Sequence, residues 1–488
     1  MMLALAVFLC AASGAVLVSI ARPLKPTGFV GLLCGSLALG YGIGLFSIVF
    51  VLARALHIVH LFAADLFAFI LIVAGSLVLR ARFAPARFSS RPVPTQIPRW
   101  LRQGLAVTLA ISACAALYSG IARAIAFPHG EGWDAFSIWN LHARFLFRSP
   151  SDLRMDLSPL IPWSHPDYPL LLPGAIAHFW TYLGHESQAV PAVLGLLFAF
   201  STAGVLLSSL AILRGSTIAM LGGLALLTTP FFVEQGTSQY ADVPLSFFIL
   251  AALASLNLRS IGSGHGSGGR GLLLLAGLGA GFAAWTKNEG LLFLVSMIAA
   301  WILVILRKRT SPKSTQSEPR DILESAKDFT IFAVSLAPAI LLIVWFKHVI
   351  APPGDLFTNS ELAIHKLADP SRYLTTLRWY GKEFLRFGHW LWIPGSLTLI
   401  ALYFFMKHRE VSYSVSEQRI AAFALALTFS GYFVIYLITP YDLFWHLRFS
   451  LNRLFLQLWP SVIFLVLLAM SDEGKPSEHA ELEPASDE

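Results

Sequence analysis

Asp134 is the residue of this sequence whose type and setting most clearly suit chemistry. It lies in EGWDAFSIWNLHARF, residues 131–145, directly after a long apolar run. A carboxylate held at the edge of a membrane could accept a proton from a hydroxyl or an amine, as a general base does. Aspartate is also a favoured helix cap, so Asp134 could begin the short amphipathic helix predicted over residues 134–147, and the two roles are compatible.

The segment SHPDYP, residues 164–169, contains a second pair of candidates. It places His165 and Asp167 in an extended turn bounded by prolines, ahead of an apolar stretch at 170–184. That stretch is too short to span a membrane comfortably, so it is expected to be re-entrant or to lie at the membrane surface. His165 and Asp167 could contribute to substrate binding, although aspartate is also common in such turns for purely local reasons.

Asp242 opens a predicted helix in the short turn YADVP, residues 240–244. An aspartate followed by a proline in the first turn is an ordinary way to begin a helix, so a structural role alone would explain it. A binding role is favoured by its neighbours, because Glu234, Gln239 and Tyr240 crowd the same loop.

Lys287 and Glu289 stand in TKNEG, residues 286–290, between two apolar runs with almost no loop to hold them in water. An ionised side chain at the centre of a membrane costs roughly 2.5–3.5 kcal/mol on insertion scales, so such groups usually face a cavity or form pairs. The two residues could form a purely structural pair. Alternatively, Lys287 could contact a substrate phosphate.

The last candidates lie in TPYDLFWHLRFSLNRLFLQLWP, residues 439–460. His446, Ser450 and Arg453 have the spacing i, i+4, i+7 and therefore share one helical face. Arg448 is close by, and a guanidinium fork at a membrane interface matches a phosphate or a pyrophosphate. The structural alternative is that these arginines extend to lipid headgroups.

Asp65 differs from these candidates because it is a lone acid well inside a predicted helix. We expect it to pair with Arg54 or with a neighbouring helix, and we assign it no function. The cysteines, Cys10, Cys34 and Cys114, all fall in apolar segments. Neither a disulfide framework nor a cysteine metal site is therefore predicted.

Composition indicates which elements must position these residues. The chain of 488 residues is 56% hydrophobic and 13% charged, with a mean hydropathy of +0.67, whereas about a quarter of the residues are charged in ordinary soluble domains. The predicted fold class is therefore an all-α polytopic membrane protein. Thirteen spanning helices are predicted, near residues 2–21, 28–53, 58–79, 104–127, 187–213, 217–233, 242–258, 271–286, 290–306, 328–349, 388–406, 420–438 and 454–470.

Basic residues set the expected orientation of these helices. Arginines are frequent in residues 80–102, and lysines and arginines in residues 307–327; such loops stay cytoplasmic during insertion. The N-terminus and the segments that carry the candidate residues then lie outside. This topology accounts for the net charge of +7, so no nucleic-acid partner is expected. The acidic segment 471–488 is predicted to be a disordered cytoplasmic tail.

Together these motifs resemble the GT-C superfamily of membrane glycosyltransferases, in particular the bacterial branch related to protein O-mannosyltransferases and lipid A aminoarabinose transferase. The resemblance rests on Asp134 in EGWDAF, on HPDYPLLLP, on Asp242 in YADVPLSFF, on TKNEG and on the ending WHLRFSLNRLFLQLWP. It covers about residues 104–460. We therefore expect a GT-C-like catalytic domain over 104–470, with the first three helices and the basic loop, residues 1–103, as an addition.

The resemblance implies transfer of a sugar, with inversion, from a polyprenyl-phosphate donor to an envelope acceptor at the external face of a bacterial inner membrane. Asp134 is implied to be the base or to orient the acceptor, and Arg448 and Arg453 are implied to hold the donor phosphate. Ala135 stands where the family has a second acid, so no metal and no cofactor are expected. The expected partners are the donor, the acceptor and membrane lipids, and the expected binding residues are His165, Asp167, Asp242, Lys287, Glu289, His446, Arg448 and Arg453.

Two other classes of protein fit the composition. A transporter or flippase would carry charges along a midplane path on both sides and would show repeated, broken helices, whereas the candidate residues here are predicted on one side only. A polymerase or ligase of cell-surface glycans on another multi-helix fold would share the donor but not this order of motifs.

Overall fold

The protein is built from α-helices joined by short turns. A computed structural model describes residues 2–21, 28–83, 85, 98–148, 153–262, 269–310, 319–354, 360–388, 395–396, 399–400 and 415–469, and no β-strand occurs among them. The helices are α1 (Met2–Val18), α2 (Phe29–Ala55), α3 (Leu61–Arg82), α4 (Arg99–Ala126), α5 (Asn140–Arg148), α6 (Leu153–Asp156), α7 (Leu171–Leu183), α8 (Ala189–Arg214), α9 (Ser216–Leu227), α10 (Pro230–Thr237), α11 (Asp242–Gly262), α12 (Arg270–Thr286), α13 (Asn288–Thr310), α14 (Pro319–Trp345), α15 (Ser360–Leu367), α16 (Pro370–Arg386), α17 (Val415–Ile438) and α18 (Leu443–Ala469). The all-α class predicted from the sequence is confirmed for these residues.

Ten of the described helices are long and apolar enough to cross a membrane: α1 with its extension to Ala21, α2, α3, α4, α8, α11, α13, α14, α17 and α18. The chain is therefore a multi-pass membrane protein. α9 and α10 together form an eleventh candidate, bent by 65° at the break between them, and α12 is a shorter apolar helix. Most of the predicted span 388–406 lies outside the described residues, so the count of thirteen stays a prediction.

The bend between α9 and α10 follows from the local sequence. Pro230 is the first residue of α10, and proline has no N–H to donate to the preceding turn. The hydroxyls of Thr228 and Thr229 donate instead to the carbonyl oxygens of Leu224 and Ala225, at 2.6 and 2.7 Å. The carbonyl oxygen of Leu224 also accepts from the backbone N–H of Thr228, and that of Leu226 from the N–H of Thr229. Backbone and hydroxyl donors together pair these carbonyls where the chain turns.

The core is continuous from the N-terminal helices to the last helix. α11 is enclosed by α8, α12 and α18, and nearly all of its described side chains are buried. In α2, the Tyr41 hydroxyl donates to the carbonyl oxygen of Leu275 at 2.7 Å, and the Ser47 hydroxyl donates to that of Leu170 at 3.1 Å. The first helices are thus packed directly against the helices that position the site.

α7 lies in the short apolar stretch, residues 170–184, that the sequence predicts to be re-entrant or to lie at the membrane surface. It has 13 residues, packs on α2 and α5, and ends at Gly184, whose φ of 75° suits glycine. Asp65 of α3 contacts this helix, with its Oδ2 2.9 Å from His178 Nε2 and 2.5 Å from the Tyr182 hydroxyl. Of the two partners expected for Asp65, the neighbouring helix is the one observed.

Charged side chains gather at both ends of α11. Asp242 begins the helix and Arg259 lies near its last turn, about 26 Å away at the α-helical rise; we name these the site end and the opposite end. At the opposite end, Arg259 contacts Asp328 and lies 2.7 Å from Glu417. Carboxylates of α14 and α17 therefore pair with a basic residue in the last turn of α11, in addition to the ionic contacts at the site end. The placement of the candidate residues on one side of a membrane stays a prediction.

Candidate functional site

Arg453 joins two carboxylates at the site end that are far apart in the sequence. Its Nη1 contacts Asp134 Oδ2 directly and lies 3.8 Å from Asp242 Oδ2. Asp242 is fully buried, whereas the side chains of Asp134 and Arg453 are 22% and 17% exposed. The arrangement therefore runs from a buried acid through an arginine to an acid that solvent can reach.

Lys287 extends this arrangement on the buried side. Its Nζ lies 2.9 Å from Asp242 Oδ1 and 2.9 Å from Glu289 Oε1. The structural pair of Lys287 with Glu289 that the sequence suggested is therefore present, and Asp242 is a second partner. We name Asp134, Asp242, Lys287, Glu289 and Arg453 the charged cluster.

The ammonium group of Lys287 remains charged in this setting. Burial by itself would lower the pKa of Lys287, but the carboxylates of Asp242 and Glu289 outweigh burial and raise it above its usual value. The charged cluster then holds three carboxylates and two cations.

A tight turn between α12 and α13 holds Lys287 in place. α12 ends at Thr286 and α13 begins at Asn288, so Lys287 is the single residue between them. Gly290 makes the turn possible, because a Cβ there would lie 1.8 Å from the carbonyl oxygen of Ala283. Position 290 therefore has no room for any side chain. This close approach of the two helices explains why the loop between them is so short in the sequence.

Asp134 is positioned by the contact of its segment with the turn before α11. Gly130 has a φ of 86°, and a Cβ there would lie 2.9 Å from the carbonyl oxygen of Ser238. The amide of Asn140 donates to Gln239 Oε1 at 2.6 Å. Asp134 itself has helical dihedral angles and makes no capping hydrogen bond. The capping role considered for it is therefore wrong, and its carboxylate is directed to Arg453 instead.

Asp242 has a neutral partner that the sequence analysis missed. Gln457 Nε2 donates to Asp242 Oδ1 at 2.6 Å, and the Tyr432 hydroxyl donates to Gln457 Oε1 at 2.7 Å. Gln457 follows Arg453 by four residues, so it continues the face on which His446 and Arg453 were already aligned. The helical periodicity of α18 was the signal that could have identified it.

Asp167 lies beside the charged cluster and is bound to the same turn. Asn288 Nδ2 donates to Asp167 Oδ2 at 2.8 Å. Lys347 Nζ donates to the carbonyl oxygen of Asp167 at 2.5 Å and to Asn288 Oδ1 at 2.9 Å. Lys347 was not among the residues predicted from the sequence, although a lysine at the end of an apolar run is the kind of signal that marked Lys287. It lies in a wide helical turn, Phe346–Ile350, directly after α14.

The turn that carries His165 covers the charged cluster with aromatic rings. His165 has a φ of 49° and stacks on Tyr168, with ring centroids 4.8 Å apart. The Tyr168 ring centroid lies 6.0 Å from Lys287 Nζ. Burial, together with the charge of Glu289, raises the pKa of Tyr168 well above its usual value, so its hydroxyl stays protonated and acts as a neutral group.

Tyr240 contributes a second ring at the solvent side. The Arg453 guanidinium carbon lies 5.2 Å from the Tyr240 ring centroid, which is cation–π distance. Burial and the nearby charge of Asp134 raise the pKa of Tyr240 to about 12. The ring therefore supports the position of Arg453 without adding a charge.

The candidates in α18 divide between two faces. His446 Nδ1 lies 2.8 Å from Thr439 Oγ1, and Ser450 Oγ lies 2.7 Å from the Tyr436 hydroxyl, so both residues connect α18 to the end of α17. Arg448 points elsewhere: it is exposed, and its guanidinium carbon lies 5.6 Å from the Phe449 ring centroid. Of the two arginines that the sequence grouped together, only Arg453 belongs to the charged cluster.

Within the part of the chain that the structure describes, no group of three or more His, Cys, Asp or Glu side chains is placed to hold a metal ion. Each carboxylate of the charged cluster contacts a cationic side chain instead.

The fold and the charged cluster define the class of this chain: a multi-pass, all-α membrane protein with a partly exposed ionic site at one end of its helices. Compared with models of protein families, with curated proteins and with solved structures, the chain matches none of them.

Proposed function

We propose that this chain transfers a sugar from a polyprenyl-phosphate donor to an acceptor in the bacterial cell envelope, with inversion at the anomeric carbon. The proposal combines the motif resemblance with one observation, the contact between Arg453 and Asp134. This contact joins a group suited to a phosphate to a group suited to accept a proton.

The contact suggests how donor binding could activate the base. When a donor phosphate binds the guanidinium of Arg453, it competes with Asp134 for the same positive charge. Asp134 is then released from its contact with Arg453 and can turn to the acceptor. It takes the proton of the acceptor hydroxyl or amine, the acceptor atom bonds to the anomeric carbon, and the bond from that carbon to the phosphate oxygen breaks. The bonding electron pair leaves with the phosphate, which Arg453 stabilises.

Asp242 has a positioning role in this proposal. It is fully buried, contacts Lys287 at 2.9 Å and accepts a hydrogen bond from Gln457 at 2.6 Å. A buried carboxylate with such partners stays ionised and fixes the cations around it. Arg453 is thereby held on one side by Asp242 while its exposed side faces Asp134.

We further propose that the site end faces the periplasm and that the membrane is the bacterial inner membrane. The arginines of residues 80–102 and the basic residues of 307–327 lie in loops that the positive-inside rule assigns to the cytoplasm. Helix alternation from these loops assigns Asp134 to the external face. A polyprenyl donor suits this position, because its chain would lie in lipid while its phosphate reaches the charged cluster.

The decisive experiment measures sugar transfer by Asp134→Asn. Membranes that contain this variant should transfer no sugar from a polyprenyl-phosphate donor, because an amide cannot accept the proton. Mass spectrometry of envelope glycolipids and glycoproteins, with and without the protein, first identifies the transferred sugar. Glu361→Gln is the matched control, since Glu361 is an exposed acid of α15 outside the charged cluster. Full transfer by Asp134→Asn would refute the assignment of the base.

A transporter is the second candidate, and the contacts at the opposite end favour it. Arg259 contacts Asp328 and Glu417 there, so α11 has an ionic contact at each end. Two such contacts could open in turn in a protein that exposes a central site to alternate sides. Movement of a labelled polyprenyl-linked sugar across vesicles, with no covalent product, would support this candidate. Formation of a glycosylated product by the purified chain excludes it as the sole activity.

A further inference from the structure

α16 has three distinct faces, and only one of them packs against the protein. The packed face carries Thr376 and Tyr380, both buried, and the buried Phe387 follows directly after the helix. The Tyr380 ring contacts Phe455 of α18, with centroids 5.8 Å apart, and the Phe387 ring contacts Trp459, with centroids 5.2 Å apart. α16 and the residue that follows it therefore pack alongside α18.

A basic residue near the start of α16, Arg372, binds the end of α17 close to the site end. Arg372 donates to the carbonyl oxygens of Leu437 and Tyr436, at 2.8 and 2.9 Å. Lys366 of the preceding helix donates to the carbonyl oxygen of Thr439 at 2.6 Å. These cations satisfy the last carbonyls of α17, which would otherwise lack partners. Arg372 and Lys366 thereby hold α16 close to the end of α17, which His446 and Ser450 also contact.

The second face of α16 is an exposed apolar ridge. Leu374, Leu377 and Leu385 are 50%, 62% and 52% exposed, and their spacing places them along one side of the helix. Leucines in a row are costly to leave in water, so a ridge of this kind indicates contact with hydrocarbon or with another apolar surface.

The third face is an exposed basic ridge directly beside the apolar one. Arg378, Lys382 and Arg386 have the spacing i, i+4, i+8, and all three are exposed. Lys382 Nζ lies 4.8 Å from the Trp379 ring centroid. Among the described residues none of the three is in an ion pair, and Glu383, the nearest acid in sequence, lies on the packed side.

We propose that these two ridges bind anionic phospholipids of the bilayer, with the headgroup phosphates on Arg378, Lys382 and Arg386 and the upper acyl chains against Leu374, Leu377 and Leu385. Charge complementarity selects this occupant, because a second apolar protein surface would leave three cations unmatched, whereas a phospholipid satisfies both ridges. Such binding anchors α16 at the membrane surface beside the charged cluster. It does not depend on the sugar-transfer proposal.

The test compares lipid retention by the full-length protein in detergent, measured by native mass spectrometry. The protein is titrated separately with phosphatidylglycerol, with phosphatidylcholine of the same chains, and with a polyprenyl phosphate. The wild-type protein should bind phosphatidylglycerol more tightly. The triple variant Arg378→Gln, Lys382→Gln, Arg386→Gln should bind it roughly ten-fold or more weakly, since each surface charge contributes substantially to such binding, while its affinity for phosphatidylcholine stays unchanged.

The matched control keeps the charges and changes only the side chains: Arg378→Lys, Lys382→Arg, Arg386→Lys should retain phosphatidylglycerol within about two-fold. Both variants must elute as monodisperse protein with the wild-type thermal midpoint, so that misfolding is excluded. Equal affinity of the glutamine variant and the wild type for phosphatidylglycerol would overturn the proposal. So would a loss confined to polyprenyl phosphate, because that result would assign the ridges to the donor rather than to bilayer lipid.

Discussion

Lys287 Nζ lies 2.9 Å from Asp242 Oδ1, in a contact that joins the start of α11 to the turn between α12 and α13. Both side chains are buried, and neither would be stable there alone. The pair is therefore a structural element of the site end as well as part of the charged cluster. Its energetic role can be measured separately from any activity.

Replacing Lys287 by methionine should destabilise the protein by about 3–5 kcal/mol, because the buried carboxylate of Asp242 loses its closest cation. Thermal unfolding of the purified protein in detergent measures the effect. The double variant Lys287→Met, Asp242→Asn should recover part of the loss, since the uncompensated charge is removed. Lys327→Met is the control, because Lys327 is about half exposed and its ion pair contributes little. A double variant less stable than Lys287→Met contradicts this account.

Arg453 and Arg448 should differ sharply in their effect on activity. Arg453→Lys should lower the initial rate of sugar transfer by about ten-fold or more, because a single ammonium cannot contact Asp134 and a phosphate with the geometry of a guanidinium fork. Arg448→Lys should leave the rate within about two-fold, since Arg448 is exposed on another face. Equal losses in the two variants would show that both arginines bind the donor, as the sequence alone suggested.

Asp65 should contribute to stability but not to catalysis. Asp65→Ala leaves His178 and Tyr182 without the acceptor that they share inside the core, and we expect a cost of about 2–4 kcal/mol. Asp65→Asn should cost less, because the amide oxygen still accepts hydrogen bonds. Thermal unfolding measures both, and the rate of sugar transfer per folded molecule should remain unchanged. A folded Asp65→Asn protein without activity would contradict a purely structural role.

His142 should make stability fall in mild acid. Burial, and next the nearby His165, lower the pKa of His142 to about 4, against the opposing effect of Asp167. The unfolded chain takes up the proton below about pH 6.5 whereas the folded chain does not, so stability is lost as the pH falls from 6.5 toward 4. The loss should reach roughly 2 kcal/mol at pH 5. Unfolding midpoints of the wild type and His142→Gln at pH 7 and pH 5 should diverge; parallel shifts would contradict the prediction.

The orientation of the chain can be tested with two exposed positions. His185→Cys lies at the site end and Arg82→Cys at the end of α3, each introduced after Cys114→Ser removes the exposed native thiol. A membrane-impermeant maleimide should label His185→Cys in cells with a permeabilised outer membrane and an intact inner membrane. It should label Arg82→Cys only after lysis of the inner membrane. Labelling of both positions before lysis would contradict the proposed orientation.

Much of the site could be predicted because ionisable groups are rare in an apolar chain. Asp134, Asp242, Lys287, Glu289 and Arg453 were all selected from sequence, and the structure brings them into contact. The free-energy cost of placing an ionised side chain in a membrane marked these residues as candidates, and that cost can be estimated without knowing the fold. Helix periodicity placed His446 and Arg453 on one face, and the structure agrees.

The partners could not be predicted, because they depend on which helices meet. The sequence marks Gln457 by its helical face and Lys347 by its place at the end of an apolar run, but it names no partner for either. Gln457 contacts Asp242 across 215 residues of chain, and Lys347 contacts Asp167 across 180. Arg448 was grouped with Arg453, although five residues turn a helix to another face. Asp134 makes no capping hydrogen bond, and its carboxylate contacts Arg453 of α18 instead.

The sequence by itself determined that this chain is helical and lies in a membrane, because apolar residues in runs of about twenty have no other stable environment. It also determined which ionisable residues need a partner if they are to lie within the membrane. Only the tertiary structure decided how those residues pair, that Arg259 forms a second ionic contact at the opposite end, and that α16 leaves two ridges uncovered. The reason is physical: burial cost is a property of each residue, whereas pairing is a property of the distances between helices.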